Sequence, residues 1–346
     1  MSLPQQTPRS IEIVPLTLHI GAEIRGVDLT KPLPPQQVKE VRDAFLKWKV
    51  VFFRNQHLDH AQHVAMARQF GEPTIGHAVL GHLDDYPEIY SVAKNRLANE
   101  NRKAQMVTPW TGWHADITAA VNPPMASILR GVTTPPYGGD TFWTNLNAAY
   151  MALSPTMRAF VDGLRGIHQF GNRGETNRSN EYKDRVKRRA LESEHPIVTV
   201  HAETSERILY VSPSFLKSIV GLTPRESQKI LEILWEHITR PEYTVRFKWN
   251  EGDIAFWDNR STVHLAPTDI FESDFAGRQA AGRRRWAAIE INRRRADPVG
   301  GRRAKDVGSS GIAIREVVSW PSNSSQTEGR SRLGERSGML DPCYKD

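Results

Sequence analysis

Trp113-His114-Ala115-Asp116, taken with Trp257-Asp258-Asn259-Arg260-Ser261-Thr262-Val263-His264, decides how this chain folds. In an extended segment residues i and i+2 share a face, so a His-x-Asp triplet aims both side chains the same way. Two imidazoles and one carboxylate can hold one face of a divalent iron, leaving the opposite face open to a chelating co-substrate and dioxygen. His114 and His264 stand 150 positions apart, so a strand from each half of the sequence must face one interior. A jelly roll, whose strands come from both halves of the chain, meets that requirement.

The triplet alone is a weak signal. With 12 His and 17 Asp in 346 residues, composition predicts about 0.6 such triplets by chance. Three occur: His57-Leu58-Asp59, His82-Leu83-Asp84 and His114-Ala115-Asp116. The first lies where the apolar run Val50–Arg54 gives way to helical spacing over His60–Phe70, and Asp59 reads as a helix N-cap. The second sits in Gly81-His82-Leu83-Asp84-Asp85-Tyr86-Pro87, which has turn chemistry. Only the third leads toward an apolar run, Met125-Ala-Ser-Ile-Leu129.

Composition narrows the field. A hydrophobic content of 39% supports a sizeable core. No apolar run reaches the roughly 18 residues of a membrane span, and Met1-Ser-Leu-Pro-Gln-Gln lacks a signal-peptide pattern. The one cysteine, Cys343, points to a reducing compartment, read as the cytoplasm. The net charge of +7 suggests nucleic acid until its distribution is seen. Residues 277–346 hold 15 Lys+Arg and 8 Asp+Glu, whereas residues 1–276 hold 31 of each sign. The neutral body argues against a nucleic-acid partner; the partner expected is a small-molecule substrate.

Apolar patterning predicts strands at 11–15, 22–28, 50–53, 88–92, 125–132, 140–144, 196–201, 208–211, 243–249, 254–257 and 286–291, with helices over 35–49, 60–70 and 225–239. Residues after Gly171 to Glu194 read as a polar surface excursion or lid. The sum is a mainly β chain with flanking helices, a double-stranded β-helix or jelly roll. One domain is expected over 1–292, followed by a divergent, basic, weakly ordered tail over 293–346.

Trp113-His-Ala-Asp116, Tyr137-Gly-Gly-Asp-Thr141-Phe-Trp143 and Gly252-Asp-Ile-Ala-Phe-Trp-Asp-Asn-Arg260 with His264 resemble the taurine dioxygenase/TfdA family of iron(II)- and 2-oxoglutarate-dependent dioxygenases. Ile20–Asp28, Val50–Gln56 and Glu194–His201 are similar to it as well, in the same order. The resemblance implies His114, Asp116 and His264 as iron ligands, with Fe(II) as metal, 2-oxoglutarate as co-substrate and O2 as oxidant. It implies Thr141 as the hydroxyl on the distal carboxylate of 2-oxoglutarate. The carboxylate of Asp116 implies hydroxylation rather than halogenation. Hydroxylating the carbon that bears a sulfonate or sulfate ester would release sulfite or sulfate. A homo-oligomer, dimer or tetramer, is expected.

The pattern breaks after His264. The family places two arginines four apart in a closing strand, the first on the co-substrate carboxylate, a task that suits a planar guanidinium. Here the candidates are Arg278 for the first and Arg283, or Arg285, for the second. The Arg-, Gly- and Ala-rich segment after Phe275 reads as divergent or reading-frame-shifted, with activity impaired. Trp110 stands where taurine-type members have Asn, suggesting a larger or more apolar substrate, and His77 is a candidate substrate contact. Two further readings stay open: the same chemistry on an aryloxyalkanoate or other carboxylate, and a non-catalytic jelly-roll binding protein.

Overall fold

The computed structural model describes residues 10–77, 81–92, 108–170, 191–265 and 286–292. Strands β1 (Glu12–Pro15) and β2 (Ala22–Arg25) pair antiparallel. Helix α1 (Pro35–Trp48) starts on proline and ends at Lys49, whose φ of 67° turns the chain into β3 (Val50–Phe53), parallel to β2. Helix α2 (His60–Phe70) opens with a reciprocal cap between Asp59 and Gln62, as the helix start read at Asp59 requires. β4 (Glu72–Pro73), β5 (Tyr90–Ser91), β6 (Trp113–His114), β7 (Ala126–Gly131) and β8 (Thr141–Asn145) follow.

Helices α3 (Leu146–Ala152) and α4 (Pro155–Val161) come next, then β9 (Arg165–Phe170), β10 (Leu191–Pro196), β11 (Val198–Val200), β12 (Arg207–Leu209) and β13 (Leu216–Ile219). Helix α5 (Pro224–Ile238) is capped by Thr223 and Glu226. β14 (Thr244–Phe247), β15 (Ile254–Asp258), β16 (Thr262–Leu265) and β17 (Trp286–Asn292) complete the described elements.

Two sheets carry the architecture. The major sheet has the order β1-β2-β3-β15-β7-β17-β4, with β5 also on β17, and the minor sheet has the order β14-β8-β16-β6. From β6 to β8 and from β14 to β17 the chain crosses back and forth between them, which is the winding of a jelly roll. β3 shows how the sheets are filled. Its four residues are all buried, and successive side chains go to opposite faces. Val50 and Phe52 join Trp143, Val245, Phe247 and Trp257 in a cluster drawn from both sheets. Val51 and Phe53 instead meet Phe45 and Val41 of α1 and Val64 and Phe70 of α2. Phe52 stacks on Phe247 at 4.0 Å between ring centroids, fastening the major sheet to the minor one. A third cluster packs α5 and α3 with Trp113 and Val263 of the minor sheet.

The structure adds elements the pattern missed. α3 and α4 are seven residues each, too short to display a helical period. β10 begins at Leu191, inside the stretch expected as a polar excursion to Glu194. There Ser193 is buried between Glu192 and Glu194, a period of two that its charged residues disguise. Every described residue lies in one compact unit, Met1–Arg295. The expected tail, 293–346, lies outside the described residues. Among them no helix is long and apolar enough to cross a membrane.

Candidate metal centre

Strand β16 brings the two distant motifs together. His264 pairs with His114 of β6 on one side and with Trp143 of β8 on the other. Directly opposed residues of an antiparallel pair project to the same face, so the two imidazoles stand 4.2 Å apart between ring centroids. Asp116 Oδ1 lies 3.8 Å from His114 Nε2 and 3.8 Å from His264 Nε2. One ligand atom from each residue falls within 4.8 Å of the other two, the one such group among the described residues.

The extended segment expected to carry both His114 and Asp116 is shorter than its motif. Pairing stops at His114, and Asp116 already lies in a turn whose next residue, Ile117, has φ of 48°. The left-handed conformation is strained for a β-branched side chain. Two anchors hold this departure from the sheet. Ala115 N donates to Ser212 Oγ, and Ser127 Oγ donates to Asp116 Oδ2 at 2.7 Å.

The donor set fits a divalent metal. His114 Nδ1 is bonded to the carbonyl of Gly112 at 2.9 Å, and Asp116 Oδ2 is held by Ser127, so each of these ligands turns its other atom toward the common point. Burial, then the neighbouring His114, pushes the pKa of His264 down to about 3, against the pull of Asp116. The imidazole is thus neutral at physiological pH, the form that ligates. Burial also opposes the charge of Asp116, but His264, His114 and the Ser127 hydroxyl outweigh it and hold the carboxyl below its usual range.

Aromatic side chains arch over the centre. Phe215 meets His114 edge-on at 5.8 Å, Phe170 meets Phe215 at 5.5 Å, and His77 meets Phe170 at 6.2 Å and Tyr90 at 5.1 Å. Burial lowers the pKa of His77, with His114 adding to the effect and the charge of Asp116 opposing it. Below, Trp257, Ser127 and Glu290 form a row in register across β15, β7 and β17. Glu290 is 1% exposed, accepts from Tyr90 Oη at 3.1 Å through Oε1, and has no partner for Oε2 among the described residues.

The remaining candidates fall in different places. Thr141 is buried on β8, two residues from Trp143 and so on the face that Trp143 shares with His264; its hydroxyl accepts from Trp249 Nε1 at 2.9 Å. Trp110 packs against Trp235 of α5, 6.2 Å between rings, in the helical cluster. Arg278, Arg283 and Arg285 lie outside the described residues. Sequence reasoning missed Ser127, Phe170, Phe215, Tyr90 and Glu290. Ser127 alone left a trace, as the polar residue inside the apolar run Met125–Leu129.

Comparison with known proteins agrees with this geometry. Residues 12–284 match the family described as taurine catabolism dioxygenase TauD, TfdA family. An alkylsulfatase from Acinetobacter baylyi is 36% identical over 273 residues, 77% of this chain and 82% of the relative. An alpha-ketoglutarate-dependent sulfate ester dioxygenase from Pseudomonas putida is 35% identical over 279 residues, 75% of this chain and 85% of the relative. The crystal structure of a taurine dioxygenase from Burkholderia xenovorans superposes with a TM-score of 0.69 at 56% identity, covering 82% of this chain and 89% of that one.

Proposed function

The chain belongs to the taurine catabolism dioxygenase TauD, TfdA family, and from that premise we propose that it is an iron(II)- and 2-oxoglutarate-dependent dioxygenase acting on a sulfate ester or sulfonate. The observation that carries this reading is the convergence of His114 Nε2, Asp116 Oδ1 and His264 Nε2 from two paired strands and the turn that follows one of them. Similarity to the alkylsulfatase and the sulfate ester dioxygenase supports the substrate class. When bound, the metal with 2-oxoglutarate and O2 supplies the power to put one oxygen atom into a C–H bond, with succinate and CO2 as the other products. A hydroxyl on the carbon bearing the ester oxygen or the sulfonate sulfur makes an unstable adduct, which breaks to an aldehyde and sulfate or sulfite.

The chain's own residues prepare the site. His114, Asp116 and His264 hold one face of the metal and leave the other to small molecules. Thr141 accepts from Trp249 Nε1 and keeps its hydroxyl proton to donate to the distal carboxylate of the co-substrate, which can only accept. Arg278 is the co-substrate cation and Arg283 or Arg285 the second arginine of the pattern. His77, close to the triad, contacts the substrate, and the rings of Phe170 and Phe215 exclude water from the chamber. Trp110 bounds the substrate side at a greater distance. The scarcity of cysteine supports a cytoplasmic location, and assembly as a dimer or tetramer is part of the same proposal.

The test adds Fe(II) and 2-oxoglutarate to the metal-free protein without oxygen and seeks a weak visible charge-transfer band. Oxygen is then admitted with a panel of alkyl sulfates and alkanesulfonates, and succinate, sulfate and sulfite are measured. Succinate matched by sulfate or sulfite is expected. Absence of the band, with the same result for a His264→Ala variant, overturns the reading.

A further inference from the structure

We propose that Ser127 and Asn259 are positioning residues that fix which oxygen of Asp116 faces the metal, through a one-way line of hydrogen bonds beginning at the indole of Trp257. The inference rests on the triad being a metal site, and it assigns work to side chains that touch neither metal nor substrate. The line has three links. Trp257 Nε1 donates to Asn259 Oδ1 at 2.9 Å, Asn259 Nδ2 donates to Ser127 Oγ at 2.8 Å, and Ser127 Oγ donates to Asp116 Oδ2 at 2.7 Å.

Its direction follows from the chemistry of its first member. An indole N–H can only donate, so the amide oxygen of Asn259 must face Trp257. The amide nitrogen is thereby turned to Ser127 and can only donate there. The serine oxygen has received one proton, and its own proton goes to Asp116 Oδ2. A carboxylate with Oδ2 occupied in this way presents Oδ1 to the two imidazole nitrogens, each 3.8 Å away.

The fold makes the line rigid. Trp257, Asn259 and Ser127 are 3%, 2% and 0% exposed, so water does not compete for these groups. Trp257 and Ser127 are direct partners in the β15–β7 register, and Asn259 N donates to the carbonyl of Met125 at the end of the same strand pair. Both histidines belong to the minor sheet, whereas the line issues from the major one. Asp116, in the turn after β6, is tied to the major sheet by Ser127. The line therefore couples the spacing of the sheets to the geometry of the metal face. Partners that orient a ligand carboxylate are worth about 10- to 100-fold in metal affinity when removed.

The experiment titrates the metal-free, full-length protein with Co(II) and follows both affinity and the visible d–d spectrum, which responds to coordination number and needs no turnover. The parent should bind one equivalent and His264→Ala should not. Ser127→Ala should bind about 10- to 100-fold more weakly, because Asp116 loses the partner that orients it, and its spectrum should change, because a freed Oδ2 can swing in as a second donor. Ser127→Thr, which keeps the hydroxyl, should restore both. Ser127→Cys fills the same space with a poor donor and should behave like Ser127→Ala, which separates a lost hydrogen bond from a cavity. Parent affinity and parent spectrum in Ser127→Ala and Ser127→Cys would overturn this inference while leaving the metal site intact. A parent protein that fails to bind Co(II) would overturn both.

Discussion

Asp258 and Glu290 are both carboxyls with 1% exposure, and their surroundings drive them in opposite directions. Asp258 accepts from His201 Nε2 at 2.9 Å and from Arg260 Nε at 2.8 Å, and Arg260 is held in turn by Glu203. Burial opposes its charge, but Arg260 and His201 more than offset that, and its pKa falls to about 2 from an ordinary 3.8. A depressed carboxyl contributes stability above its unfolded value and loses it as pH falls through the folded one. Asp258→Asn should therefore cost about 3 kcal/mol at pH 7, because it leaves part of a buried ion pair unmatched. Urea unfolding at pH 7 and at pH 3 checks this, and the difference between parent and variant should shrink at pH 3. Equal differences would remove the ion pair from the account.

Glu290 has the reverse sign. Burial first, and then the charge of Asp116, raise its pKa well above the usual range, against the single hydrogen bond from Tyr90. Stability is then full below the ordinary value of 4.5 and falls as pH rises above it, since the unfolded chain ionises more readily. Glu290→Gln should raise the Tm of the metal-free protein relative to the parent at pH 8 and change it little at pH 5. A shift that is the same at both values would mean that the carboxyl is ionised in the fold. Ser127 and Glu290 were illegible in the sequence for one reason. Their roles come from the register of β7 and β17, strands 160 positions apart in the chain.

Elements were read well where local chemistry sets their limits. Asp59 and Thr223 cap α2 and α5 with the reciprocal hydrogen bonds their spacing from Gln62 and Glu226 allows. The apolar run Val50–Phe53 is a strand with those limits. Elements defined by partners were not read. β9 and β13 are known by their pairing, and β6 ends early because Ser127 and Ser212 draw the chain out of the sheet after His114. The contact between α2 and the closing strand has a sharp test. Gly71 is extended, so its backbone suits any residue, but an added Cβ would lie 2.4 Å from the carbonyl oxygen of Asn292. Neither backbone atom can yield without moving α2 away from β17. Gly71→Ala should cost about 1–3 kcal/mol, read as a lower denaturation midpoint with an unchanged slope. An unchanged midpoint would show that β17 is not seated against the end of α2.

At the scale of the whole molecule, the grouping of the candidate site was legible in the order of its motifs, because the proposed metal face takes residues from both halves of the chain and a jelly roll brings such strands together. The closing segment was the part the pattern left open. β17 reads Trp286-Ala-Ala-Ile-Glu-Ile-Asn292, with no basic side chain, and its inward residue beside Ser127 is an acid. The family match stops at residue 284, just before it. β17 offers a dicarboxylate co-substrate no basic side chain, and Arg278 is the proposed source of the charge that balances it. Arg278→Ala should weaken 2-oxoglutarate by about 2 kcal/mol or more, roughly 30-fold, as truncating one partner of a hydrogen-bonded charge pair does. Co(II) affinity should stay at the parent value, since the triad is untouched. The measurement is an anaerobic titration of 2-oxoglutarate into the Fe(II)-loaded protein, followed by the charge-transfer band. Unchanged co-substrate affinity would mean that Arg278 is not the clamp and would favour a sequence after Phe275 shifted out of its reading frame, in which case the intact mass of the native protein should differ from that of these 346 residues.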